Sequence, residues 1–206
     1  GKTTSKVNVD DVGTLTGAAA DMVTLYDAAA SDFTGLGAEL LSVTGTPAAT
    51  DLIALLIDTT LDISVAGITK VSGTASNLDL VVGNARFTDW ATSNPTLEVT
   101  GTSASADDIS ALITSFNSAG YTGDTANKID AVGLTFTGTA DNVLTVLTSA
   151  VVLEDADPAV TLSDATINAA TLILVKAETS SVDVSTATTV SGLADDVNTV
   201  LAVSYV

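Results

Sequence analysis

The side chains with chemistry to offer in this chain are almost all carboxylates. Its 206 residues include 25 Asp and Glu, six Lys and Arg, and neither His nor Cys. Disulfides, thiolate nucleophiles, the usual zinc sites and every scheme resting on an imidazole base are therefore excluded. Paired acids recur at Asp10-Asp11, Asp107-Asp108, Asp155-Ala156-Asp157 and Asp195-Asp196, and clustered hard oxygens are what calcium takes. Asp107-Asp108 and Asp195-Asp196 fall where helices are expected to begin. There a carboxylate complements the helix dipole by about 0.3–1 kcal/mol, which accounts for both pairs without a metal. Asp155 and Asp157, in an expected loop beside Pro158, are the calcium candidates. Neither an EF-hand loop nor a Gly-Gly-x-Gly-x-Asp nonapeptide is present. As acid/base dyads the carboxylates carry no distinguishing mark, because pairs occur throughout an acidic chain.

Two other groups bear on ligands. The only Arg and the only Trp, Arg86 and Trp90, lie four residues apart around Phe87. Such a trio stacks on a sugar ring or a partner protein, or packs as part of a strand. Tyr121 sits in the stretch Phe116 to Asp124, about nine residues longer than the rest of the pattern allows, so an insertion loop near 116–127 with ligand contacts at Tyr121 is one expectation and a bare surface loop the other. Hydroxyls form the second group. Thr14 and Thr16, Ser42 and Thr44, Thr135 and Thr137, Thr161 and Ser163, and Thr189 and Ser191 predict a hydroxyl ladder of the kind that binds sugars or ice, interrupted by Lys70 and Glu98 as a cross-strand ion pair. Thr on a solvent-facing strand also needs no ligand to explain it.

The elements that must position these residues are repeats. An apolar residue, a hydroxyl residue and Gly or Asp recur at Leu15-Thr16-Gly17, Val43-Thr44-Gly45, Val71-Ser72-Gly73, Val99-Thr100-Gly101, Phe136-Thr137-Gly138, Leu162-Ser163-Asp164 and Val190-Ser191-Gly192. The spacing between copies is about 28 residues, apart from one long step between Gly101 and Gly138, and such a period means a solenoid or similar array. Alternation before each Gly predicts a half-buried strand. After it, apolar residues at offsets of three and four predict a short helix, as in Val143, Val146 and Leu147 behind a Thr139 cap and Asp141. A second strand is expected at 7–9, 61–64, 129–132 and 182–185, with vaguer versions at 86–91 and 151–154. Clear copies alternating with vague ones predict a double repeat. Asp164 in place of Gly implies a turn that tolerates a side chain.

Composition fits many thin layers, since 46% of residues are hydrophobic and only 4% aromatic. A formal net charge of −19 repels nucleic acid and anionic membrane surfaces, so neither partner is expected. No stretch approaches the roughly 18 uncharged apolar residues of a membrane helix, so membrane insertion is not expected either. Gly1-Lys2-Thr3 carries no signal-peptide pattern and reads as a processed terminus.

The run Val182-Asp183-Val184-Ser185 followed by Thr188-Thr189-Val190-Ser191-Gly192-Leu193-Ala194-Asp195-Asp196-Val197 resembles the tandem repeats of very large, acidic surface and secreted proteins of marine bacteria and cyanobacteria. The resemblance covers nearly the whole chain. It implies surface-layer, adhesin or motility-surface roles at the cell surface, with type I export and calcium-dependent assembly.

The sequence expectation is therefore an α/β fold: a right-handed repeat solenoid of about seven strand-helix-strand coils with a period of about 28 residues, as one domain over 1–206. The right hand follows from strand-helix-strand crossovers. The expected function is a non-enzymatic structural module of an extracellular layer, filament or adhesin, partnered by itself or by neighbouring repeats. A glycan- or ice-binding module, with cell-surface glycan as partner, is the alternative, and a polysaccharide-active enzyme is the third reading. No cofactor is expected apart from calcium. Assembly is expected head to tail, with a C-terminal strand over 202–206, including Val203 and Tyr205, pairing near Val7 and Val9.

Overall fold

Alternating apolar and hydroxyl residues favour a strand with one face in the core, and a strand forms at all seven copies of the motif in the computed structural model, which describes residues 6–121 and 128–203. The chain groups into two compact units. The first comprises Gly1–Gly73, Asn77–Glu98 and Ser115–Thr125, and the second Thr74–Ser76, Val99–Thr114 and Ala126–Val206. The elements wholly or mainly in the first are β1 (Val7–Asn8), β2 (Thr14–Gly17), α1 (Ala19–Asp32), β3 (Phe33–Thr34), β4 (Leu40–Gly45), α2 (Ala49–Asp58), β5 (Ile63–Ile68), β6 (Lys70–Gly73), α3 (Ala75–Val82), β7 (Phe87–Thr88), α4 (Trp90–Ser93) and β8 (Thr96–Val99). Those of the second are β9 (Ser103–Ser105), α5 (Ala106–Ser118), β10 (Ile129–Asp130), β11 (Thr135–Gly138), α6 (Ala140–Leu147), β12 (Val152–Leu153), β13 (Val160–Leu162), β14 (Thr166–Asn168), α7 (Ala169–Glu178), β15 (Val182–Asp183), β16 (Thr189–Ser191) and α8 (Ala194–Leu201). The fold is α/β, with strand and helix alternating along the chain.

In the first unit β2, β4, β5 and β7 form a parallel sheet in that order, β1 pairs with β3, and β6 lies beside β8. In the second, β9, β11, β13 and β15 form a parallel sheet, β14 pairs with β16, and β10 with β12. Parallel neighbours need a crossover of a dozen residues or more. The helices provide it, α1 packing on α2, α6 on α7 and α7 on α8.

Register explains the double repeat. Leu15 lies opposite Leu41, Leu41 opposite Ile63 and Ile63 opposite Phe87. Each of these steps is shorter than the motif spacing. Two motif spacings lead from Leu15 to Val71, whereas two strand steps lead only to Ile63. The surplus is the distance from Ile63 to Val71, so β5, and not the motif strand β6, continues the sheet. The second unit repeats this shift: Phe136 faces Val160, Val160 faces Val182, and β15 stands where motif spacing alone would have put β16. The well-marked second strands 61–64 and 182–185 are thus the ones that take over a sheet row. β5 accommodates the change with an irregularity between Ser42 and Thr44. There Gly67 lets Thr44 approach so closely that a Cβ would lie 2.8 Å from Thr44 Cγ2.

Apolar residues at helical spacing are buried at Leu52 and Leu55 on α2, Leu78, Val81 and Val82 on α3, Ile109, Leu112 and Ile113 on α5, and Val143, Val146 and Leu147 on α6, whereas Leu56 on α2, Ile173 on α7 and Val197 on α8 are half-buried and Leu201 on α8 is exposed. Three expectations fail. Phe116–Ser118 are the last residues of α5 and not the start of a loop, because Phe116 continues the helix's buried face. Residues 122–127 of the expected insertion lie outside the described residues. The 86–91 segment is a strand only at 87–88. Asp89 then turns through a left-handed conformation (φ 73°) into the one-turn α4 that carries Trp90. The expected terminal strand does not begin by Val203: Ala202 caps α8 and Val203 N donates to Val200 O at 3.2 Å. Tyr205 lies outside the described residues.

Candidate functional site

Register also decides which hydroxyls meet. In the first unit Thr16 faces Ser42, Ser42 faces Ser64 and Ser64 faces Thr88, across four neighbouring strands. Strands about 4.8 Å apart thus carry a row of four hydroxyl residues, all exposed or half-buried. Ser64 and Thr88 are absent from the ladder expected from the sequence, which sets motif next to motif. Both donate to Asp89 Oδ2, at 2.6 and 3.1 Å. In the second unit Ser105, Thr137 and Thr161 align and Asp183 completes the row. Such rows can hydrogen-bond a polyhydroxyl surface or ordered water. Lys70 and Glu98 form the expected ion pair, Nζ to Oε2 2.9 Å, with both side chains partly exposed.

Arg86 is engaged by the scaffold. Its guanidinium donates to Leu56 O at 2.9 Å, to Leu61 O at 2.6 Å and to Thr59 O. It therefore satisfies carbonyls in and just beyond the last turn of α2, where the helix leaves acceptors without partners and its dipole favours a cation. Trp90, 4% exposed, stacks on Tyr121 (centroids 6.0 Å apart, planes at 18°) and meets Phe87 edge-on at 6.4 Å. Phe116 lies 4.0 Å from Tyr121. The trio read from the sequence divides accordingly into a helix clamp and a buried aromatic cluster that recruits Tyr121 and Phe116. Trp90 Nε1 and Tyr121 Oη are buried in it without a hydrogen-bond partner, and burial pushes the Tyr121 phenol well above its usual range.

The calcium candidates are likewise engaged by the scaffold. Asp157 accepts from Ser180 N at 2.6 Å, from Thr179 Oγ1 at 2.9 Å and from Ser180 Oγ. The hydrogen bonds from Ser180, foremost, hold its carboxyl below the usual range. Asp155 Oδ2 accepts from Gly133 N at 2.9 Å. Among the described residues no group of three acidic side chains is placed to hold a metal ion. Asp164, where the motif has Gly, accepts from Ala140 N at 2.7 Å, supplying an acceptor to the first residue of α6. Thr139 caps the same helix, accepting from Asn142 N at 3.4 Å.

The sequence pattern does not single out two further acids. Glu39, 1% exposed, accepts from Gly37 N at 2.7 Å and Tyr26 Oη at 3.2 Å through one oxygen, while Oε1 has no partner. The Tyr26 phenol is pushed up by burial and by Glu39. Glu154 is pushed up to about 7 by burial first, then by Glu178 and Asp155. An acid within an apolar run, as in Glu39-Leu40-Leu41 or Val151-Val152-Leu153-Glu154, is the available signal. Of the assembly candidates, Val7 is 54% exposed, Val9 N donates to Thr34 O at 3.0 Å, and Val203 lines an apolar cleft. No described helix is long and apolar enough to cross a membrane. Comparison with protein-family models, curated proteins and solved structures gives no match.

Proposed function

We propose that the chain is a non-enzymatic structural module of an extracellular surface layer, filament or adhesin, its strand and helix repeats wound as one right-handed solenoid of seven coils. One observation carries the reading. Arg86, Asp157 and Asp164 are taken up in hydrogen bonds that hold one repeat to the next, and Trp90 is buried in an aromatic cluster. The right hand follows from the chirality of parallel strand-helix-strand connections. The outside location rests on the acidic, cysteine-free composition and the repeat resemblance. Antibody labelling of intact source cells, with loss of label on surface proteolysis, tests it. Label that appears only after lysis overturns it.

A second reading, a glycan- or ice-binding module, is favoured by the row Thr16, Ser42, Ser64 and Thr88. Glycan-array binding or ice-recrystallisation inhibition that disappears in Ser42→Val would select it. An unchanged signal would remove it.

A further inference from the structure

Several strands have one edge unpaired among the described residues, and four of them form two adjacent pairs. Among the described residues, β1 and β2 each pair on one side only, with β3 and β4, and β15 and β16 pair on one side only, with β13 and β14. Their spacing matches. Val7 and Leu15 are eight residues apart, as are Phe33 and Leu41, and Val182 and Val190. Equal spacing is what lets β1–β2 stack in step on β3–β4, Val7 opposite Phe33 and Leu15 opposite Leu41. β15 and β16 offer the same pair of rows.

Val182 on these faces is fully buried, but Val7 is 54% exposed and the second apolar row is incompletely covered. Leu15 and Val190 are half-buried, whereas their neighbours one strand inward, Leu41 and Ile167, are each 1% exposed. Beside β16 an open cleft of ≈ 230 Å³ is lined by Ile167, Leu172, Val190, Val200, Leu201 and Val203 without a charged group. Leu201 of α8 is 74% exposed.

We propose that the β15–β16–α8 face binds the β1–β2–α1 face of a second copy of this chain, with Val182 opposite Val7 and Val190 opposite Leu15. The inference rests on the structural-module reading and adds its register. In that register the new pairing is parallel, like the neighbouring pairs within each unit, and the apolar rows continue across the junction. Asp183 comes opposite Asn8 with Lys6 as its diagonal neighbour on the same face, an attractive pair in a chain whose net charge of −19 otherwise opposes association. The contact is heterologous, each copy using two different faces.

The chain has no cysteine, so cross-linking reads the register directly. Asn8→Cys and Asp183→Cys place thiols on directly opposed, solvent-facing positions. Neighbouring strands lie about 4.8 Å apart, within the range of about 4.4–6.8 Å between Cα atoms that a disulfide spans. In about 1 M salt, where the Debye length is about 3 Å and the mutual repulsion is screened, oxidation of a mixture of the two variants should give at least tenfold more dimer than either variant alone. Leu201→Asp, at an exposed position, should weaken association about tenfold by sedimentation while leaving the circular dichroism unchanged. Equal cross-linking by single variants and mixture, or a monomer at every salt and protein concentration, overturns the proposal. Association without preferential Asn8–Asp183 cross-linking also overturns it, as does association that Leu201→Asp leaves intact. Surface labelling of cells is read independently, so failure of this contact does not carry the module reading with it.

Discussion

The two units build the same four-stranded parallel sheet and the same eight-residue shift, but the charges that tie their repeats together differ. In the first unit a cation takes part: Arg86 reaches the carbonyls of Leu56, Thr59 and Leu61 in and just beyond the last turn of α2, beside Asp89, which accepts from Ser64. In the second unit anions serve, Asp164 accepting from the start of α6 and Asp157 from Ser180 N. The cores differ to match. The first unit buries Phe87, Trp90 and Phe116, while the second is aliphatic around Phe136. A chain with six basic residues and 25 acids has few cations for helix C-termini and many acceptors for N–H groups. The helix dipole then dictates where each sign is useful. A shared backbone architecture thus tolerates two electrostatic solutions, provided each satisfies the groups left open at the connections.

That contrast is most vulnerable to Arg86→Met. The substitution leaves three carbonyls without their donor and should cost about 2–3 kcal/mol, the range for charge-assisted hydrogen bonds. Because Trp90 is the only Trp, its fluorescence in urea reports on the first unit and far-UV circular dichroism on the whole chain. The fluorescence midpoint should fall at least as far as the dichroism midpoint. A change below about 0.5 kcal/mol, the scale of ordinary surface substitutions, would show that the clamp is idle.

Glu154 supplies the corresponding test for the second unit. Its carboxyl is raised from 4.5 to about 7, so the folded state holds the proton more tightly than the unfolded chain. The associated stability is fully present below about pH 4.5 and is lost as pH rises through about 7. After allowance for solvent screening of a half-exposed group, the window is worth about 1–2 kcal/mol. Glu154→Gln should flatten the fall in melting temperature between those pH values and leave the acid side unchanged. A fall equally steep in the variant would assign the dependence to other acids.

Asp164→Ala removes an acceptor from the α6 N-terminus and should cost about 1 kcal/mol, and Asp164→Gly less, as for other helix caps. Thermal unfolding of the two variants checks the order. The smallest effect belongs to Lys70 and Glu98. Their coupling in a double-mutant cycle should be about 0.2–1 kcal/mol and should shrink in 1 M salt, because both side chains are partly exposed. A coupling insensitive to salt would mean that the pair is desolvated.

Much of the molecule was legible because periodicity is a local property. The motif Val71-Ser72-Gly73 and its copies located every motif strand, and the offsets within 143–147 located a helix face, since burial on one side of a strand or helix imposes that spacing on any sequence. Lys70 and Glu98 were legible as a pair because they occupy equivalent positions in successive motif copies. Arg86 was not legible as a helix clamp, since the carbonyls it meets lie 25 to 30 residues earlier. The burial of Trp90 on a short helix was not legible either, because the left-handed turn at Asp89, uncommon for residues other than Gly although Asp is among those that adopt it more readily, leaves no pattern in the residues around it.

Local spacing is enough to specify the set of elements, their alternation and the apolar face of each, because these follow from hydrophobic periodicity and hydroxyl or Gly punctuation within a single repeat. Which strands are neighbours was settled only by packing in three dimensions. The motif period argued for motif beside motif, yet Ser42 pairs with Ser64 and Val160 with Val182. The length of chain needed to pass once through a helix and return to the sheet is set by packing distances, and here it is shorter than the sequence repeat. The difference accumulates over two repeats into one strand-to-strand offset. The hydroxyl row, the takeover of a sheet by β5 and β15, and the use of acids and a single arginine as ties all follow from that mismatch and from the charges brought together by it.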